Sequence, residues 1–88
     1  MIRINSPKAL GSVLKIARKH LRLNQSDLAL AAGVGLRFIV DLEAGKPTVR
    51  LEHVLRVIDA LGGAVLLEGL AKDSEENLSS SEEADHAT

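Results

Sequence analysis

The sequence predicts a mainly α-helical domain that ends in one short β-strand and an acidic tail. Three observations predict it. Apolar residues recur at spacings of three and four along two long segments, about residues 7–21 and 50–61. Between them, NQSDLALAAGVGLRFIVDLEAGKP (Asn24–Pro47) reads as two short helices joined by a tight Gly-containing turn. Beyond Gly62-Gly63 the run AVLLEGL is short and apolar, and everything after it is polar and acidic. A chain of 88 residues forms one small domain with a modest core.

Each element has its own start and stop signals. Ser6-Pro7 opens the first helix, since serine caps and proline suits the first helical position. Leu10, Val13, Leu14, Ala17 and Leu21 then form a core-facing stripe, with Lys8, Lys15, Arg18, Lys19 and Arg22 mostly off it. Asn24 caps a second helix from Gln25 to about Ala32, and Asp27 stands where its carboxylate reaches back to the capping residue's N–H. Gly33 ends that helix and suits a left-handed position, while Val34 plugs the core. Gly35 begins a third helix that runs to about Ala44, with Ile39 and Leu42 inward and Phe38 sharing in the core. Gly45-Lys46-Pro47 breaks the chain. The fourth helix, from about Arg50 to Leu61 with Thr48 as an alternative cap, carries Leu51, Val54, Leu55, Ile58 and Leu61 as its stripe. Residues 64–70 read as a lone strand. It needs a partner, either Ile2-Arg3-Ile4 or the same strand in a second copy. Residues 71–88 are Ser-rich and acidic, with the composition of a disordered tail. The expected organisation is therefore a helical domain over 1–63, a dimerising strand over 64–70 and a tail over 71–88.

Charge sharpens this division. The net charge of -1 averages a +5 balance over residues 1–63 with a -6 balance over 64–88. A basic body suits a nucleic-acid partner, and an acidic tail either solubilises the domain or limits non-specific DNA contact. Phe38 is the only aromatic residue, which argues against a stacking platform for single strands. There is no cysteine, so disulfides and thiolate metal sites are excluded. The start MIRINSPKAL has no long apolar run after a basic beginning, so neither a signal peptide nor a membrane span is expected, and the cytoplasm is the expected compartment. An enzyme is not expected: His20, His53 and His86 are scattered, the acids form no dyad, and no phosphate loop or metal spacing occurs.

The candidate functional residues lie on the third helix. Arg37 and Asp41, four apart, share a face with Leu36 and Val40. An arginine so placed can pair bidentately with guanine in a major groove; Asp41 can accept from a cytosine amine or hold Arg37 in position. The same pair on any helix can also be a surface salt bridge of small value. Gln25, at the start of the second helix, is placed to grip a phosphate together with free backbone N–H groups. Lys46 and Arg22 are further phosphate contacts, and Arg18 and Lys19 add positive field.

These residues carry a resemblance. LRLNQSDLALAAGVGLRFIVDLEAGKP is similar to the helix-turn-helix core of the Xre/Cro/phage-repressor family. The match lies in Leu23-Asn24-Gln25, Leu28-Ala29, Gly33 and the close Ile39-Val40-Asp41-Leu42-Glu43-Ala44-Gly45. It covers about residues 8–62 and implies a four-to-five-helix, lambda-repressor-like domain. Within the family, GLRFIVDLEAGKPTVRLEHVLRVIDALGG resembles the HipB antitoxins. That resemblance implies a homodimer on palindromic double-stranded operator DNA, a HipA-like Ser/Thr kinase toxin as partner, repression of the shared operon, and no cofactor. It also implies that the strand pairs with its twin across the two-fold axis as a small lid, through Val65, Leu66 and Leu67. The groove-reading positions of the family fall on Gly35, Leu36, Arg37, Val40 and Asp41, the phosphate-clamping glutamine on Gln25, and a structural acid on Glu43. Leu36 stands where the repressors often carry an adenine-reading glutamine, so base reading must lean on Arg37 or on apolar contact. A stand-alone repressor without a toxin, or a protein-interaction adaptor that has lost DNA binding, are the alternatives.

Overall fold

In the computed structural model, residues 1–70 are described, and they form four helices: α1 Pro7–His20, α2 Gln25–Ala32, α3 Leu36–Glu43 and α4 Leu51–Ala60. All four predicted helices are present, with ends within a residue or so of expectation. The acidic segment expected to be disordered, 71–88, lies outside the described residues.

Local chemistry sets the ends. The Ser6 hydroxyl accepts from the Ala9 N–H at 3.0 Å, with Pro7 in the first turn. At the start of α2, Asn24 Oδ1 accepts from the Asp27 N–H at 2.7 Å, and Asp27 Oδ2 accepts from the Asn24 N–H at 3.0 Å. Two N–H groups that a helix start leaves unpaired are thus satisfied. Gly33 closes α2 at φ +68°, a left-handed position that glycine adopts without penalty. The fourth helix begins at Leu51 after Arg50, and no side chain caps it, Thr48 included.

Helices of eight residues, the length of α2 and α3, do not persist alone; packing holds them. Leu14 of α1, Leu28 and Ala29 of α2, Ile39 and Leu42 of α3, and Val54 and Val57 of α4 make one buried cluster. Val34 and Phe38 pack against it as expected. The helix α2 packs on both α3 and α4, and α1 packs on α3. At that last contact backbone meets backbone. A Cβ on Gly11 would stand 2.4 Å from the Leu42 carbonyl oxygen, and one on Gly45 would stand 2.7 Å from Lys8 Cα. Glycine is required at both places, and at Gly45 the φ of +86° requires it again.

Three expectations are corrected. Leu21 is exposed, because the chain leaves the α1 helix at that residue. Leu51 and Leu55 are exposed, and Val57 takes the core position instead. The buried face of α4 runs through Val54, Val57 and Ile58, about a third of a turn away from the one Leu51 and Leu55 mark. The stripe of α1 is split: Leu14 enters the core, while Leu10, Val13 and Ala17 line an open groove with Ile58, Leu61 and Val65. Residues 64–68 are not paired as a strand within this chain, nor is Ile2-Arg3-Ile4. No helix among the described residues is long and apolar enough to cross a membrane.

Candidate nucleic-acid interface

The interface is built from the inside. Its support is Glu43, at the last turn of α3, whose side chain is 3 % exposed. The guanidinium of Arg18 meets it as a fork, Nε donating to Oε2 at 2.7 Å and Nη2 to Oε1 at 3.0 Å. Its remaining nitrogen, Nη1, donates to the Leu23 carbonyl at 2.7 Å. Gln25 Nε2 donates to Glu43 Oε1 at 3.1 Å. One carboxylate therefore ties α1, the start of α2 and the end of α3 together, through charge-assisted bonds that are stronger than neutral ones. Burial by itself pushes the Glu43 carboxyl up. The hydrogen bonds from Arg18 and Gln25, with the charges of Arg18 and Lys15, outweigh it and hold the group below the usual carboxylate range. The bond to Glu43 likewise holds Arg18 above its ordinary value, against burial. No buried side-chain nitrogen or oxygen among the described residues lacks a hydrogen-bond partner.

Arg18 corrects its sequence assignment. It was expected to add surface charge, and it is buried at 7 % exposure. The signal was present: Gly11, Leu14 and Arg18 are spaced by three and four and so share one face. A charged residue on a buried stripe needs a buried counter-charge, and Glu43 provides it.

With α3 fixed by its inner face, its outer face is set. Arg37 projects from the surface with its side chain 84 % exposed, and Gly35 and Leu36 are exposed beside it. Nothing lies within 4 Å of where a Gly35 Cβ would stand, so another molecule's backbone can approach there. Val40 and Asp41 are half-buried behind them. The Asp41 carboxylate stands between two cations: Oδ1 is 3.2 Å from Arg37 Nη2 and Oδ2 is 3.6 Å from Lys46 Nζ. Of the candidate phosphate contacts, Lys46 is half-exposed and tied to Asp41, Gln25 is half-buried and tied to Glu43, and Arg22 is exposed.

Arg22 has a further peculiarity. It is the one non-glycine residue with positive φ, +58°, among the described residues. The Leu23 N–H donates to the Arg18 carbonyl at 3.2 Å and the Arg22 N–H to the Lys19 carbonyl at 3.0 Å. This is the Schellman close of a helix, in which glycine is the usual residue at the left-handed position. The candidate dimerisation residues Val65, Leu66 and Leu67 lie on the other side of the site inventory: all three are exposed and none touches the α3 face cluster described above.

Comparisons with known proteins agree with this geometry. The model of the helix-turn-helix family matches residues 14–65. A Sinorhizobium fredii protein described as an uncharacterized HTH-type transcriptional regulator, y4mF, is 52 % identical over 63 residues, covering 72 % of this chain and 83 % of that one. Among solved structures, a chain of a HipB-O4 20mer complex matches with TM-score 0.73 at 22 % identity, and so does a chain of a HipA-HipB-O2-O3 complex; each match covers 81 % of this chain and all of the other. A structure described as MDT protein matches with TM-score 0.72 at 24 % identity, over the same shares. At these identities the structural likenesses establish the fold. Together with the family match over more than half of its length and the half-identical relative, they give the conclusion that the chain belongs to the helix-turn-helix family.

Proposed function

We propose that this protein is a dimeric, sequence-specific DNA-binding antitoxin of the cytoplasm, which represses its own operon and neutralises a HipA-like Ser/Thr kinase toxin by contact. The observation that carries the DNA-binding half is the α3 face: an exposed Arg37 on a helix anchored from behind by Glu43. A rigid helix with a free arginine fits major-groove reading. In this reading Arg37 contacts a base edge, Leu36 and Val40 offer apolar contact to a thymine methyl, and Gly35 lets the backbone approach. Asp41 serves as a positioning residue, since both of its oxygens already face cations. Lys46, Arg22 and the start of α2 with Gln25 hold the phosphates. The division into a domain over 1–63 and a dimerising strand over 64–70 is part of the proposal. The exposed apolar side chains of Val65, Leu66 and Leu67 support pairing of that strand with its twin.

The toxin half rests on the resemblance to HipB and on the match to a chain of a HipA-HipB-O2-O3 complex. The half-identical relative is described only as a transcriptional regulator, and this favours a second reading, a repressor without a toxin. Two experiments separate these. In a gel shift with its own promoter DNA, binding should weaken steeply as salt rises, because each phosphate contact releases counterions. A flat salt dependence sinks the DNA reading. Purification of the protein with its genomic neighbours co-expressed should bring down a kinase-like protein in stoichiometric amount; a clean dimer alone leaves the stand-alone repressor.

A further inference from the structure

The two ends of the described chain lie on one side of the domain. Met1–Ile4 and Leu66–Gly69 together line a single open depression of about 680 Å³. Both segments are extended in character, and no backbone hydrogen bond of Met1–Asn5 or Ala64–Leu70 to another part of the chain occurs. The side chains around the depression are those of core residues: Ile2 is 65 %, Leu66 72 % and Leu67 67 % exposed. Two strand-like walls with free N–H and C=O groups and an apolar lining are a template for adding a strand.

We propose that this depression is a slot for the 64–68 segment of a second copy of the chain. The inference rests on the dimer reading above and adds the N-terminal segment to it. A strand has two edges. Pairing of the 64–68 segment with its twin uses one edge of each and leaves the other open. If the partner's segment enters between Met1–Ile4 and Leu66–Gly69, both of its edges are covered. The two-fold axis makes the insertion reciprocal, giving a four-stranded layer with the N-terminal segments outermost. The outer strands then have the features that blunt an edge: they are short, and Arg3 places a charge at their centre. Ile2 and Ile4, two apart, fall on the same face of the layer, where the open α1–α4 groove they also line lies beneath. The occupant is self-complementary in charge as well, since Arg3 and Glu68 stand on opposite walls of the slot.

The chain has no cysteine, so introduced thiols report alone. Paired residues on neighbouring strands stand about 4.5–5.5 Å apart at Cα, within disulfide reach. The full-length Arg3→Cys variant is mixed with a mass-tagged variant carrying Glu68→Cys, and in turn Leu66→Cys or Leu67→Cys to cover the register. The mixture exchanges subunits, is oxidised and is analysed without reductant. The expected product is a covalent heterodimer joined through position 3. An intramolecular bond in the doubly substituted Arg3→Cys, Glu68→Cys chain, with no heterodimer, overturns the slot: the N-terminal segment then lies on its own chain's strand. Self-coupling of Leu66→Cys with no bond from position 3 also overturns it, while the twin pairing stands. A chain that sediments as a monomer at micromolar concentration removes the dimer and the slot together.

Discussion

The face of α3 and the face formed by the chain ends differ in what a single copy can complete. Behind α3 every buried polar group is satisfied: Arg18 is held at three nitrogens, Glu43 at both oxygens, and Gly11 brings α1 and α3 into backbone contact. At the chain ends the reverse holds. Ile2, Val65, Leu66 and Leu67 are more than half exposed, and the backbone there has no partner in the chain. A reading surface must be rigid before it meets its target, whereas an association surface is finished only by its partner. The first region is costly to perturb in one chain; the second changes the number of chains.

The largest expected effect breaks the first region at Glu43. Glu43→Ala leaves the buried Arg18 guanidinium without its counter-charge, a loss of about 3–5 kcal/mol. That is a large part of the stability of a domain this small, so urea denaturation at neutral pH should find the variant close to unfolded. The same carboxylate sets an acid limit. Its folded value is depressed, so its contribution is complete above the unfolded value of about 4.3 and is lost as pH falls through the lower folded value. Wild-type stability should therefore drop below about pH 4, and Glu43→Gln should remove most of that slope. An unchanged slope in Glu43→Gln places the acid limit elsewhere.

Two glycines sharpen the comparison within the site. Gly11→Ala drives a Cβ into the Leu42 and Glu43 carbonyls, which are backbone and cannot turn aside. Overpacking of this kind costs about 1–3 kcal/mol. Gly35→Ala meets open space at an ordinary φ of -74°, and its stability should stay within about 0.5 kcal/mol of wild type. If the backbone at Gly35 approaches DNA, its cost appears only in operator affinity. Equal melting temperatures for the two variants would refute the close α1–α3 contact.

Arg37→Ala should leave stability unchanged, because the side chain is almost free, and should weaken operator binding by about 1–3 kcal/mol with relaxed preference at one base position. Titration against the operator and a single-base variant measures both. Undiminished affinity removes Arg37 from the reading surface. Asp41→Asn then tests positioning, with a smaller loss confined to the same base position.

How much of this could be read without coordinates depends on the range of the interaction. The helix order and ends were legible because caps, glycines and periodicity act within a few residues: Ser6, Asn24 with Asp27, and Gly33 each do what their position predicts. The outward set of Leu36 and Arg37 followed from the same period. The Arg18–Glu43 pair was missed because its partners are 25 residues apart, and basic residues on a helix ordinarily face water. Leu51 and Leu55 misled for the converse reason: they have the composition of a core stripe, but the packing angle of α4 buries Val57 instead. The close approach at Gly11 has no local signature at all, since a mid-helix glycine looks like a weakness until the opposing carbonyls are known.

The smallest effect separates stability from function at one residue. Arg22 holds a left-handed conformation that costs an L-residue about 1–2 kcal/mol, and glycine recovers part of this while adding its own entropic cost. Arg22→Gly should therefore raise stability by about 0.5–1 kcal/mol. If its side chain holds a phosphate, the same variant should bind DNA more weakly across all sequences, and the slope of log affinity against log salt should fall by about 0.9. Arg22→Lys keeps the charge and the strain, and should restore the slope without restoring stability. The two effects of Arg22→Gly have opposite signs, so a general loosening of the domain cannot produce them together. A variant that gains stability and keeps both affinity and slope would show that the left-handed arginine closes α1 and does nothing for DNA.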